Sequence, residues 1–269
     1  MRATRIVSGA RRGSSRPILV DTDAGRRIVK LRGVPQGTGT LVAELIVGEL
    51  AESLGLAVPA RCLVDLDTSL PAPDGDDELD DVLRGSNGIN LGFDYLDPAH
   101  DIKTGEIDAI SPDDRATILW LDRFVLNPDR TARNPNLMRA AGRTWLIDHG
   151  AALGFQYDWS AVTEDAPSRP PVEYEPHLFA SSVSPEDLRE WDELFAARVT
   201  RDVINAAVEQ VPPEFLLPML GITASAEAVR RRCAAYAAFL WKRLAAPRGF
   251  LTAVTPVRQT TRRGVPGLR

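Results

Sequence analysis

The chain has 269 residues, of which 26% are charged and 44% apolar, and its formal charge is −5. That length supports one large domain or two lobes with a substantial core, and the charge gives no global pull toward nucleic acid or an anionic membrane. Two cysteines and three histidines without i,i+4 spacing argue against a disulfide framework or a zinc site, and no run approaches the roughly 18 apolar residues of a spanning helix. The arginine-rich start lacks the apolar run of a signal peptide, so a cytoplasmic protein with reduced thiols is expected.

In chain order, Gly13, Ser14 and Ser15 fall in a small polar turn whose backbone N–H groups could form a nest for phosphate, though an ordinary loop accounts for them equally. Residues 18–21 and 26–31 predict a hairpin around Thr22-Asp23-Ala24-Gly25. Lys30 ends that hairpin on the same face as Ile28, while Val29 and Leu31 point the other way. There are only three lysines against twenty-nine arginines, so a lysine inside a strand is conspicuous. On a half-apolar face its ammonium needs an anion, and ATP phosphates would serve; the alternative is an edge lysine reaching solvent. Leu41, Val42, Leu45, Ile46, Leu50 and Leu54 recur at helical spacing and predict a helix over 41–54, stopped by Gly55. Glu44 on that helix has small neighbours, Gly48 and Ala51, on its side, which would let it approach the sheet and hold Lys30; Glu49 and Glu52 are its rivals.

A strand is expected at 60–66, an acidic solvated loop at 67–81 and another strand at 88–96. Ser111-Pro112-Asp113-Asp114 then starts a helix running to about residue 126, with Ile118, Leu121 and Val125 inward. After residue 150 comes an irregular, proline-rich stretch near 155–180, a length that is usually functional. Ser184-Pro185-Glu186-Asp187 opens a further helix, another spans about 225–245, and the last dozen residues read as frayed and basic. The whole predicts an α+β fold with two lobes: a strand-rich N-lobe over 1–96 with one main helix, and a mostly helical C-lobe over 97–269 holding one hairpin.

The stretch 127–150 (N-P-D-R-T-A-R-N-P-N-L-M-R-A-A-G-R-T-W-L-I-D-H-G) carries the chemistry. A hairpin turning at Ala141-Gly142, with Ala140 opposite Arg143, would place Asn134 and Asp148 together at its open end, with Asp129 in the loop entering that end. Asp129 as base, and an amide oxygen and a carboxylate side by side for a hard cation, meet the needs of Mg-nucleotide phosphoryl transfer. Each residue also has a plain reading: Asp129 and Asn134 as turn formers beside prolines, Asp148 as a strand-ending cap. Asn136 competes with Asn134 for the amide role.

Together these motifs resemble the HipA-like kinases, relatives of the phosphatidylinositol 3/4-kinases and of protein kinases. D-R-T-A-R-N-P-N-L (129–137) is similar to the catalytic loop of that superfamily, I-D-H-G (147–150) to its metal-binding D-x-G, and V-K (29–30) with 43–59 to its lysine and glutamate elements. The resemblance implies a protein-kinase-like fold in which Lys30 contacts ATP phosphates, Glu44 braces it, Asp129 is catalytic, and Asn134 and Asp148 hold Mg2+. It puts the adenine-contacting hinge near 92–96, with Phe93, Asp94 and Tyr95. His149 stands where protein kinases usually have phenylalanine. The expected activity is transfer of the ATP γ-phosphoryl group to a protein serine or threonine. A small-molecule or lipid kinase of the same fold, or a nucleotide-binding pseudokinase acting as an interaction module, are the alternatives. ATP and a hydroxyl acceptor are the expected partners, with no direct nucleic-acid binding.

Overall fold

The computed structural model describes residues 1–9, 17–67, 69–71, 77–245 and 247–251. Gly13, Ser14 and Ser15, and the basic end of the chain, lie outside the described residues. Five antiparallel strands form the N-terminal sheet, in the order β1 (Ala3–Gly9), β2 (Ile18–Thr22), β3 (Gly25–Lys30), β5 (Gly88–Asp94), β4 (Arg61–Leu66). The β2–β3 turn is the one expected, with Gly25 at φ +100°, a conformation that costs a glycine little. The first strand was not expected. It is an edge strand with irregular register that buries only Ala3 and Ile6, too sparse a pattern for periodicity to register.

Alternation along β3 sorts its residues as expected. Val29 and the following Leu31 are fully buried in a small core with Ile18, Val20 and Val64. Ile28 and Lys30 face the other way, into a cleft. The small core is closed by a helix whose first part, residues 77–81, was expected in a loop: α2 (Asp77–Arg84) buries Leu79 and Leu83 under the sheet. The acids around them signalled solvation, yet leucines four apart give the segment an apolar stripe that suffices to dock it.

The helix α1 (Gly39–Ser53) ends as expected, with Gly55 at φ +88° and Leu56 N–H returning to the Ala51 carbonyl. It is buried almost all round. Its apolar residues belong to the larger core of the C-terminal half, packed against α5 (Arg201–Glu209) and α6 (Pro213–Leu220). In α3 (Pro112–Phe124) the Ser111 Oγ accepts from Asp114 N–H and Pro112 takes the first turn, as read from the sequence. The hairpin of β7 (Leu137–Ala140) and β8 (Arg143–Leu146) has the expected register, and gains an unexpected third strand, β6 (Ala99–Asp101). Leu146 N–H donates to the Ala57 carbonyl, tying the hairpin to the chain leaving α1.

Residues 154–180 hold short 3-10 turns and one isolated bridge residue, with no longer helix or strand, as the prolines foretold. The segment is fastened by Arg243 of α7 (Ala226–Leu244): its guanidinium donates to the carbonyls of Arg123 and Phe124 at the end of α3, and to those of Pro167 and Arg169. One buried side chain thus caps a helix and anchors a loop. The capping box of Ser184 and Asp187 opens α4 (Pro185–Arg198). No described helix is long and apolar enough to cross a membrane.

Candidate active site

Three distant stretches meet at Lys30. Its ammonium donates to Glu44 Oε1 and, at 2.6 Å, to Asp148 Oδ1. Glu44 is 1% exposed and Lys30 12%, whereas Asp148 is 38% exposed. Burial works against charge on Lys30, but the two carboxylates beside it raise its pKa and keep it protonated. Burial pushes Glu44 up, with Lys30 opposing; the Asp148 carboxyl, despite partial burial, is held below its ordinary value by Lys30. The rivals Glu49 and Glu52 are engaged elsewhere, paired with Arg61 of β4.

Close approach makes this meeting possible. A Cβ on Gly150 would come within 3.3 Å of Thr40 Cβ and 3.5 Å of Glu44 Oε1, so the glycine lets the loop after Asp148 lie against α1. Asp148 itself has φ +56°, and Asn136 +49°. Both are residue types that tolerate the left-handed region, and such conformations gather at functional sites. His149 is buried, and burial followed by the neighbouring Arg130 charge pushes it down to about 3, so its ring is neutral.

The hairpin ladder ends at the Leu137–Leu146 pair, and its last bond is from Ile147 N–H to the Asn136 carbonyl. The turn of the backbone at Asp148 stops it short of the expected pairing beyond. Asn134 therefore does not sit beside Asp148 by ladder geometry. Its Nδ2 donates instead to Asp129 Oδ2 at 2.8 Å, and Asn136 Nδ2 donates to the same oxygen at 3.1 Å. The two candidate amides share one carboxylate.

Beneath that loop lies a group that motif reading passed over. Asp122, in the last turns of α3, has a fully buried carboxylate: Oδ1 accepts from Asn127 Nδ2 at 2.8 Å and Oδ2 from Arg130 Nε at 2.6 Å. Arg130 Nη1 donates to the carbonyls of Pro135 and Asn136, and Asn127 Oδ1 accepts from Asp129 N–H. The loop is wound around Asp122. A signal for it existed: residue 122 falls on the inward stripe with Ile118 and Val125, where an acid is out of place unless paired.

Two hollows flank Lys30 and Asp148. One, of about 260 Å³, is mainly apolar and is lined by Ile28, Phe93, Asp94, Tyr95, Leu96 and Met138 among others. The other, of about 350 Å³, holds Asp129 with Thr40, Gly150 and Tyr157. Lys30 and Asp148 line both. Phe93, Asp94 and Tyr95, expected at the hinge, thus border the apolar hollow at the end of β5. Among the described residues no group of three or more His, Cys, Asp or Glu side chains is arranged to hold a metal.

Comparison with known proteins agrees with this architecture. A family model described as HipA-like kinase matches residues 3–216, and the chain belongs to that family. It is a kinase of that class, with a mixed α/β kinase fold. Among solved structures it is similar to the Helicobacter pylori proinflammatory kinase CtkA, at a TM-score of 0.51 and 14% identity over 88% of this chain and 94% of that one. No match was found among curated proteins.

Proposed function

We propose that the protein transfers the γ-phosphoryl group of ATP, with Mg2+, to a serine or threonine hydroxyl of a protein. The observation that carries this reading is the shared wall: Lys30 and Asp148 stand between an apolar, base-sized hollow and a second, less apolar one that contains Asp129. Adenine would enter the first against Phe93 and Tyr95, while the phosphates pass Lys30 toward Asp129. Lys30 would neutralise phosphate charge, and Glu44, buried and pre-set, would keep the ammonium in place. Asp129, held by two amide donors, would orient and accept the proton of the incoming hydroxyl.

The donor set suits a hard cation. Asp148 offers a half-exposed carboxylate, and Asn134, whose Nδ2 is committed to Asp129, has its Oδ1 left over. Two oxygen ligands are enough for magnesium, which completes its shell with water and phosphates. When bound, the ion would offset the charge that develops on the phosphate oxygens. Asn136 is equally placed on Asp129 and remains the rival ligand. The same reading puts the boundary between the lobes near residues 96–97, where the sheet ends and the chain enters the three-stranded hairpin unit.

The acceptor side falls to residues 154–177. A hollow of about 430 Å³ there is lined by Asn127 and Pro128, next to Asp129, and by Phe155, Pro171 and Val172. The test is turnover of ATP by the purified protein with magnesium, read as phosphate transfer to itself and to cell-extract proteins. A folded wild type that neither hydrolyses ATP nor transfers phosphate removes the proposal. Thermal shift separates binding from catalysis: ATP at a hundred times its Kd should add about 2.7 kcal/mol of stability, and only when magnesium is present at full effect.

A further inference from the structure

His177 lies far from the catalytic loop in sequence and is buried beneath it. Its Nε2 is 2.9 Å from Asp122 Oδ2, the oxygen that also receives Arg130 Nε. Its Nδ1 accepts from the Phe179 backbone N–H at 3.1 Å, so the ring proton sits on Nε2 and is donated to Asp122. The backbone reinforces the contact: residues 131 and 177 form an isolated antiparallel bridge, and Leu178 N–H donates to the Arg130 carbonyl. The acceptor-side segment therefore ends on the Asp122 hub.

From that hub two routes lead to Asp129. One runs through Asn127 to the Asp129 backbone N–H; the other runs through Arg130 to the Asn136 carbonyl, and Asn136 Nδ2 reaches the Asp129 carboxylate. A guanidinium can meet a carboxylate through more than one pair of N–H groups. With His177 on the same oxygen, Arg130 meets Asp122 through Nε alone, its Nη1 serves the loop carbonyls and its Nη2 lies 3.5 Å from His149 Nδ1. Without that donor, Arg130 is free to turn one edge, with two N–H groups, to Asp122 and release the carbonyls.

We propose that His177 is a positioning residue for phosphoryl transfer, which, by donating to Asp122, holds Arg130 in the orientation that fixes the Asp129 carboxylate. This rests on the function proposed above. It acts on the chemical step, since the hydrogen bonds of Lys30 go to Glu44 and Asp148 and not to His177, Asp122 or Arg130.

The experiment compares wild type with His177→Ala, His177→Leu and His177→Gln for kcat, KM for ATP, thermal shift by ATP and melting temperature. Displacements of about 1 Å in a positioned group can cost about 10²-fold, so kcat should fall about 10- to 100-fold in the Ala and Leu variants. KM and the ATP-induced shift should stay within about twofold, since His177 makes none of the hydrogen bonds at Lys30. The Gln variant, whose amide N–H reaches Asp122, should recover most of kcat. If Ala and Leu do not fold, Gln against Asn carries the test, since only the longer amide reaches Asp122. Wild-type kcat in the Ala or Leu variant overturns the inference. So does a kcat that the Gln variant fails to restore, or, in the fallback pair, equal kcat for Gln and Asn. A wild type without ATP turnover refutes the proposed function instead.

Discussion

Two clusters of opposite charges sit close together in this protein, and they are built to different standards. Around Asp122 and Arg130 both side chains are 0% exposed, and hydrogen bonds reach both Asp122 oxygens. Around Lys30 the arrangement is unfinished: Glu44 Oε2 and His149 Nε2 are buried without a hydrogen-bond partner among the described residues, and Asp148 is partly exposed in a left-handed backbone conformation. Saturated polar networks rigidify, whereas orphaned groups and strain are kept where something is expected to bind. Of the two clusters, the one around Lys30 is the less saturated.

Substitutions can break that contrast. The largest effect belongs to the unfinished side. Asp129→Asn should lower kcat by about 10²- to 10⁴-fold while the melting temperature barely moves, as steady-state kinetics beside calorimetry would show; Lys30→Ala should abolish turnover and weaken ATP binding together. Next comes the scaffold. Asp122→Ala leaves the buried Arg130 without its counter-charge and should cost about 3–5 kcal/mol in denaturant unfolding.

A smaller, pH-dependent effect sharpens the point. Burial alone would raise the Asp122 pKa, but Arg130 and His177 overcome it and hold the carboxyl well below the ordinary value of 3.8. The folded state thus binds its proton less readily than the unfolded chain. The stability Asp122 contributes is complete above about pH 4 and is lost as the pH falls below it. Asp122→Asn should therefore melt lower than wild type at neutral pH, and the gap should narrow on acidification. The smallest effect should come from Arg230→Ala, which breaks an exposed pair with Glu227 on α7 and should leave both melting temperature and turnover unchanged.

Much of this was legible in the sequence because it rests on local rules. The alternation around Lys30, the capped start at Ser111, the stop at Gly55 and the hairpin at 141–142 each follow from a few adjacent residues. What escaped depends on distance. Asp122 and His177 are 55 residues apart and meet only after α3 and the proline-rich segment have packed. The helix α2 hid its two leucines among acids. The extra strand β6 is three residues long and exists only because β7 offers an edge. The choice between Asn134 and Asn136 also lay beyond spacing, since the backbone turns at Asp148 and the ladder does not extend far enough to decide it.

The burial of α1 has a consequence for how this kinase is held ready. The helix that carries Glu44 shares its apolar residues with α5, α6 and the hairpin core, so swinging it away from Lys30 would expose leucines now wholly shielded. Its amide protons should exchange with deuterium only as fast as the whole molecule opens, and the lysine brace then persists with or without nucleotide.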